Sequence, residues 1–94
     1  PAKFEIGSKV SNSTISAGCR IRGTVTGSIL GRNVIIERGA IVRDSIVMEG
    51  CIVKEGSVVE HAIVDRSNII PAGTELRGTS EEILIQRKNN KRVA

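Results

Sequence analysis

The chain is poor in the residues that do most recognition chemistry. It has no tryptophan, no tyrosine and one phenylalanine, Phe4. A protein that binds single-stranded nucleic acid stacks bases on aromatic rings, and this one has no rings to offer. One histidine, His61, excludes a three-histidine zinc site. Two cysteines, Cys19 and Cys51, in 94 residues do not make a disulfide framework. No apolar run approaches the length of a membrane span, and no signal peptide opens the sequence, so a cytoplasmic protein that binds neither membrane nor nucleic acid is expected. The formal charge of +4 comes from 14 basic and 10 acidic residues. Half of that excess lies in residues 81–94, where Arg87, Lys88, Lys91 and Arg92 face Glu81 and Glu82. The remainder is close to balanced, and the tail reads as solvated.

What the chain does contain is Ile, Val, Ala and Leu, with ten glycines. β-Branched enrichment favours strands, and glycines at this density favour many turns. A repeat organises both. VTGSILGRNVIIERGAI (25–41), VRDSIVMEGCIVKEGSV (42–58) and VEHAIVDRSNIIPAGTE (59–75) align without a gap. Val25, Val42 and Val59 share a column that continues to Leu76. Ile29, Ile46 and Ile63 form a second, Leu30, Val47 and Val64 a third, and Ile36, Val53 and Ile70 a fourth. Gly39, Gly56 and Gly73 also align. VSNSTISAGCRIRGT (10–24) is the same unit with two residues missing, and it places Val10, Ile15 and Ile21 in these columns.

Within a unit an aliphatic residue recurs at steps of six, six and five, and four positions after it stands a small or apolar residue: Cys19, Val34, Ala40, Cys51, Ser57, Asn68 and Thr74. Three short strands joined by corners return the chain to its start one strand spacing higher, about 4.8 Å. Equivalent side chains then stack inside a triangular prism, each coil covering the apolar face of the next, so a slender chain buries a core without being spherical. The expected fold is all-β, a single-stranded parallel β-helix of four to five coils. Its lining should be Ile15, Ile21, Leu30, Ile36, Val42, Val47, Val53, Val59, Val64 and Ile70, and the glycine column should mark corners with positive φ.

The polar residues yield no catalytic set. His61, in VEHAIV, is expected mid-way along a five-residue side and exposed, with no insertion nearby to build a groove for a general base. Cys19 and Cys51 are expected as buried small residues two coils apart, about 10 Å, beyond disulfide reach. Asn68 is a buried amide that either bonds neighbouring backbone or marks where the core opens. Asp44, Glu60 and Asp65 with Arg43, Arg66 and Arg77 should decorate the outside. Arg43 and Arg77 share a column with Glu60 between them, which makes a charge ladder of small energetic weight. Near the end, Thr79 and Glu82 fit a helix capping box, whereas Ile83, Leu84 and Ile85 fit a short strand, and the strand is the expectation. Residues 88–94 are expected to lack order. No glycine-rich turn opens a helix, so a phosphate-loop reading fails on context. Catalytic, cofactor-binding and metal-binding residues are therefore all expected to be absent from this chain.

The wording PAKF (1–4), SNSTISAGCRIRGTVTGSILGRNV (11–34), DSIVM (44–48) and AIVDRSNIIPAGTELRG (62–78) resembles the C-terminal part of bacterial glucose-1-phosphate adenylyltransferases, nearest to their regulatory-type paralogues in glycogen biosynthesis. The most specific piece is GCRIRGTV followed by SIL, because the shortened coil is a departure shared with that family. The resemblance implies a left-handed helix. It also implies a fragment, with residues 1–9 an entry segment from an N-terminal nucleotidyltransferase domain, 10–79 the β-helix, and 80–94 a C-terminal strand and basic tail. It implies a structural, oligomerisation and allosteric module, partnered by its own catalytic domain and by adenylyltransferase subunits in a homo- or hetero-oligomer. The family's ATP and Mg would be bound elsewhere in the parent. Two other readings stay open: a stand-alone hexapeptide-repeat acyltransferase, and a non-catalytic β-solenoid binding module.

Overall fold

The computed structural model describes residues 1–88. Their strands fall into successive coils of three. The first coil holds β1 (Lys3–Phe4), β2 (Lys9–Ser11) and β3 (Thr14–Ile15), and the second β4 (Arg20–Ile21), β5 (Thr24–Thr26) and β6 (Ile29–Leu30). The third holds β7 (Ile35–Ile36), β8 (Ile41–Arg43) and β9 (Ile46–Val47), and the fourth β10 (Ile52–Val53), β11 (Val58–Glu60) and β12 (Ala62–Val64). The last holds β13 (Ile69–Ile70), β14 (Glu75–Arg77) and β15 (Leu84–Gln86). Like strands stack in parallel into three five-stranded sheets: A from β1 to β13, B from β2 to β14, and C from β3 to β15. This is the parallel β-helix the repeat demands, and each residue pairs with its column mate: Ile21 with Ile36, Val42 with Val59, Leu30 with Val47.

Two-residue strands survive because each is one rung among five. Alone, such a strand would have no hydrophobic face worth burying. Stacked, its inward residue meets the rungs above and below. Ile21, Val25, Leu30, Ile36, Val42, Val47, Val53, Val59 and Val64 are all fully buried, and Ile70 nearly so. The followers Cys19, Val34, Ala40, Cys51, Ser57 and Asn68 are buried beside them at the corners. One expected lining residue differs. Ile15 is only partly buried, because β3 is the edge of sheet C and has a neighbour on one side alone. Residues 1–9 carry β1, whose Lys3 and Phe4 pair with Arg20 and Ile21.

The corners show why the repeat steps are unequal. The expected glycine column lies at the corner from sheet A to sheet B, with φ of 77°, 73° and 74° at Gly39, Gly56 and Gly73. In the second coil this corner is cut short by two residues, and Gly23 occupies it. A Cβ there would run into the carbonyl oxygen of Ala40 and lie 2.8 Å from that of Glu37. The longer corner above thus sits directly on the shorter one, an approach only glycine permits.

At the far end Thr79 and Glu82 close a tight turn, not a helix cap. Their backbones exchange hydrogen bonds at 2.9 and 3.1 Å, and Thr79 Oγ1 accepts a further one from the Glu82 N–H at 3.0 Å. The strand then runs over Leu84–Gln86, one residue later than Ile83–Ile85, pairing Ala62 with Leu84 and Ile63 with Ile85. The expectation for residues 88–94 falls, apart from Lys88, outside the described residues.

Candidate functional site

His61 is not mid-side. It is the single corner residue between β11 and β12, with φ 47°, in a column with Asn12, Gly27 and Asp44, all left-handed. The reason lies in the five-residue step: Val59 and Val64 both point inward, and a one-residue corner must absorb the turn between them. Its N–H donates to the Arg43 carbonyl at 3.1 Å and its carbonyl accepts from Leu84 N at 3.0 Å. The imidazole is about a quarter exposed, with Nε2 3.7 Å from Asp44 Oδ2. The pair is built from corner residues of successive coils.

Sequence reading missed the serines that come directly after three of those corners. Ser13, Ser28 and Ser45 form a hydrogen-bonded ladder. Each hydroxyl donates to a carbonyl two residues back: Ser13 to Ser11 at 2.8 Å, Ser28 to Thr26 at 2.9 Å and Ser45 to Arg43 at 2.7 Å. Each also accepts from the next coil, where the N–H groups of Ser28, Ser45 and Ala62 donate at 3.0 to 3.1 Å. Ser28 and Ser45 are buried, so the ladder satisfies backbone groups that the corner removes from the sheet pattern. Serines in one column at 28 and 45 are the signal that could have revealed it.

On sheet B the charge ladder is present. Glu60 lies 3.7 Å from Arg43 and 2.7 Å from Arg77, and Arg77 also reaches Glu75 at 3.1 Å. The hydrogen bonds Arg77 donates to Glu75 and Glu60 raise its pKa further above its already high ordinary value. At the other end Glu5 holds Arg20 and Arg22. Asp65 turns its Oδ1 to the Arg66 N–H at 2.7 Å, and Arg66 has no ion pair among the described residues.

Cys19 and Cys51 are free and buried, each thiol donating to a carbonyl at 3.0 Å, Gly31 and Asp65 respectively. Burial pushes the Cys51 thiol up from its ordinary pKa, which suppresses the nucleophilic thiolate. Asn68, in the same column, takes the first of its two expected roles. Its amide nitrogen donates to the carbonyls of Asp65 and Arg87 at 3.0 Å and of Gln86 at 3.4 Å, tying the last strand to the prism.

The outer face of sheet C carries an unforeseen feature. Thr14, Ile29, Ile46, Ile63 and Ile85 pair in register, and Ile29, Ile46 and Ile85 are 50%, 39% and 59% exposed. Beside them a shallow groove of about 340 Å³ is lined by Ser16, Ile29, Ile46, Met48, Arg32 and Arg66, among others. Gly31 also lines it, at a point where the coils approach so closely that a Cβ would come 2.7 Å from the Glu49 nitrogen.

These features define a hexapeptide-repeat β-helix. A family model described as "GlmU-like, C-terminal hexapeptide" matches residues 1–83, and the chain belongs to that family. Within it the particular relatives are glucose-1-phosphate adenylyltransferases. Those of Streptomyces coelicolor and Streptomyces avermitilis are each 51% identical over 45 residues, which is 48% of this chain and 11% of the relative. That of Corynebacterium jeikeium is 51% identical over 43 residues, 45% of this chain and 11% of the relative. The chain is thus a hexapeptide domain matching the C-terminal region of these enzymes, and the matched stretch spans about a tenth of their length.

Among the described residues no three His, Cys, Asp or Glu side chains stand close enough to hold a metal ion, and no helix is present whose N-terminus could cradle phosphates. Among the described residues no helix is long and apolar enough to cross a membrane.

Proposed function

We propose that this chain serves as the C-terminal structural, oligomerisation and allosteric module of a cytoplasmic glucose-1-phosphate adenylyltransferase, or of its regulatory subunit, in glycogen biosynthesis. The parent would make ADP-glucose from ATP and glucose-1-phosphate with Mg, or regulate a partner that does, while this module carries no chemistry of its own. The observation that supports the reading most is the shortened corner at Gly23. It lies in GCRIRGTV, the most specific piece of the resemblance to the adenylyltransferases, and a generic hexapeptide prism has no need of it. The N-terminal edge, where Phe4 is half exposed and Ile6 fully so, is the natural place for a preceding catalytic domain to rest, since solvated apolar groups at a prism end want a cover.

The test is an assay of the purified chain with ATP, Mg²⁺ and glucose-1-phosphate, run beside one with acetyl-CoA and amino or hydroxyl acceptors. Release of neither pyrophosphate nor free CoA is expected. Pyrophosphate release would place nucleotidyl transfer in this domain and sink the proposal, and CoA release would make the chain an acyltransferase.

A further inference from the structure

We infer that the outer face of sheet C between Arg32 and Arg66 is a docking surface for an acidic amphipathic protein segment. Apolar side chains of that segment would lie over Ile29, Ile46 and Met48, and its carboxylates would meet the two guanidinium groups. This concerns the surface of the module alone and can fail while the adenylyltransferase reading stands.

The first support is apolar area. A soluble face of a sheet alternates with its buried face and is ordinarily polar. Here the outward column is isoleucine in four successive coils, Ile29, Ile46, Ile63 and Ile85, flanked by Met48 at 41% exposure. A contiguous apolar strip rimmed by polar residues marks an interaction site.

The second support is charge, and it selects the partner. Arg32, Glu49 and Arg66 stand three residues past Ile29, Ile46 and Ile63, so they line one long edge of the strip, one per coil. Neither arginine has an ion pair among the described residues, whereas Arg20, Arg22, Arg43 and Arg77 all do. Both line the groove. The two are two coils apart, about 9.6 Å. Carboxylates seven positions apart on a helix are separated by about 10.5 Å, so both arginines can be engaged at once while the intervening apolar residues face the isoleucines. Glu49, between them, repels a uniformly acidic partner and fixes the spacing.

A second copy of this chain fits the same face poorly. In a two-fold pairing about an axis along the strands, Arg32 meets Arg66 of the other copy and Glu49 meets Glu49. About an axis along the solenoid, Glu49 falls opposite Asp44. Each arrangement sets like charges against one another beside the apolar strip.

The test uses the chain labelled with nitrogen-15 and two short peptides with identical leucine faces, one bearing glutamates seven positions apart and the other lysines in their place. The glutamate peptide is expected to shift the amides of Ile29, Ile46 and Met48, to bind more weakly as salt rises, and to lose about tenfold in affinity to the R32A/R66A double variant. Both substitutions are at exposed positions, and an unchanged spectrum elsewhere verifies the fold. Absence of binding, equal binding of both peptides, shifts confined to another face, or self-association abolished by Ile46→Ser would each overturn the inference.

Discussion

Ile46 and Val47 are neighbours in sequence, both β-branched, both in the middle of sheet C, and they have opposite fates. Val47 is fully buried and Ile46 is 39% exposed. The same holds one coil earlier for Leu30 and Ile29. Hydropathy therefore does not decide what is inside this molecule. Position within the seventeen-residue coil does, because successive strand residues point to opposite faces and only one face of each side looks into the prism. The inner column is held by packing, and the outer column is available to something else.

The largest expected effect separates the two columns directly. Val47→Asp buries a carboxylate with no cation in reach and should cost more than about 4 kcal/mol, a large part of the stability of a domain this small. Ile46→Asp, at a position facing solvent though more than half covered, should cost only about 1 kcal/mol. Equilibrium denaturation of the two variants decides the matter, and similar losses in both would erase the distinction between the columns.

Next comes the corner that sets which face looks inward. Gly23→Ala drives a methyl into the Ala40 carbonyl, and backbone on both sides cannot yield. A loss of about 2 to 4 kcal/mol is expected, with the strongest amide-exchange acceleration at Arg22, Thr24 and Ala40. A fully stable alanine variant would mean that the two stacked corners do not touch.

The serine ladder is the polar counterpart of the inner column. Ser45→Ala removes the acceptor for the Ala62 N–H, at about 1 to 3 kcal/mol, and the Ala62 amide should exchange faster than the amides of Ile46 and Val47. Ser45→Thr keeps the hydroxyl and should recover part of the loss. If alanine and threonine variants were equally stable, the hydroxyl would have no structural role.

The smallest effect is in pH. Burial raises the Cys51 pKa in the folded chain, so the folded state holds its thiol proton where the unfolded chain, near pH 8.5, begins to release it. Stability is intact below that pH and declines as pH rises towards the folded value. Cys51→Val should flatten the fall in Tm above about pH 8.5. A slope identical to wild type would mean that other groups govern alkaline stability.

Much of this architecture can be read from one sequence because the solenoid repeats its own evidence. Each inner position appears up to five times, so the columns through Leu30, Ile36 and Val42 identify themselves. Ile15 shows the limit: at the first coil column membership does not ensure burial, although Ile70 on the edge strand at the other end stays covered. The serine ladder escapes such reading because a hydroxyl at a corner looks like any solvated turn residue until its partner in the next coil is located. His61 escapes it because a left-handed corner shows in sequence mainly through glycine and asparagine, as at Gly27 and Asn12, and a histidine there carries no such mark. The outward column of Ile29, Ile46 and Ile63 follows by alternation once Leu30, Val47 and Val64 are placed inside; the groove beside it does not, because it depends on how the corner side chains lie.

The short corner at Gly23 has a bearing on how such a chain finds its state. Coils of nearly equal length invite the growing prism to zip one rung out of step, with every aliphatic residue still satisfied by a mate of its own kind. A slipped stack would bring the two-residue deletion under a different corner, leaving a gap at one edge and a collision at another. The irregular coil therefore works as an index mark: it makes the rungs distinguishable, penalises misthreaded alternatives that hydrophobicity alone would tolerate, and gives a repetitive ribbon a single place to begin counting.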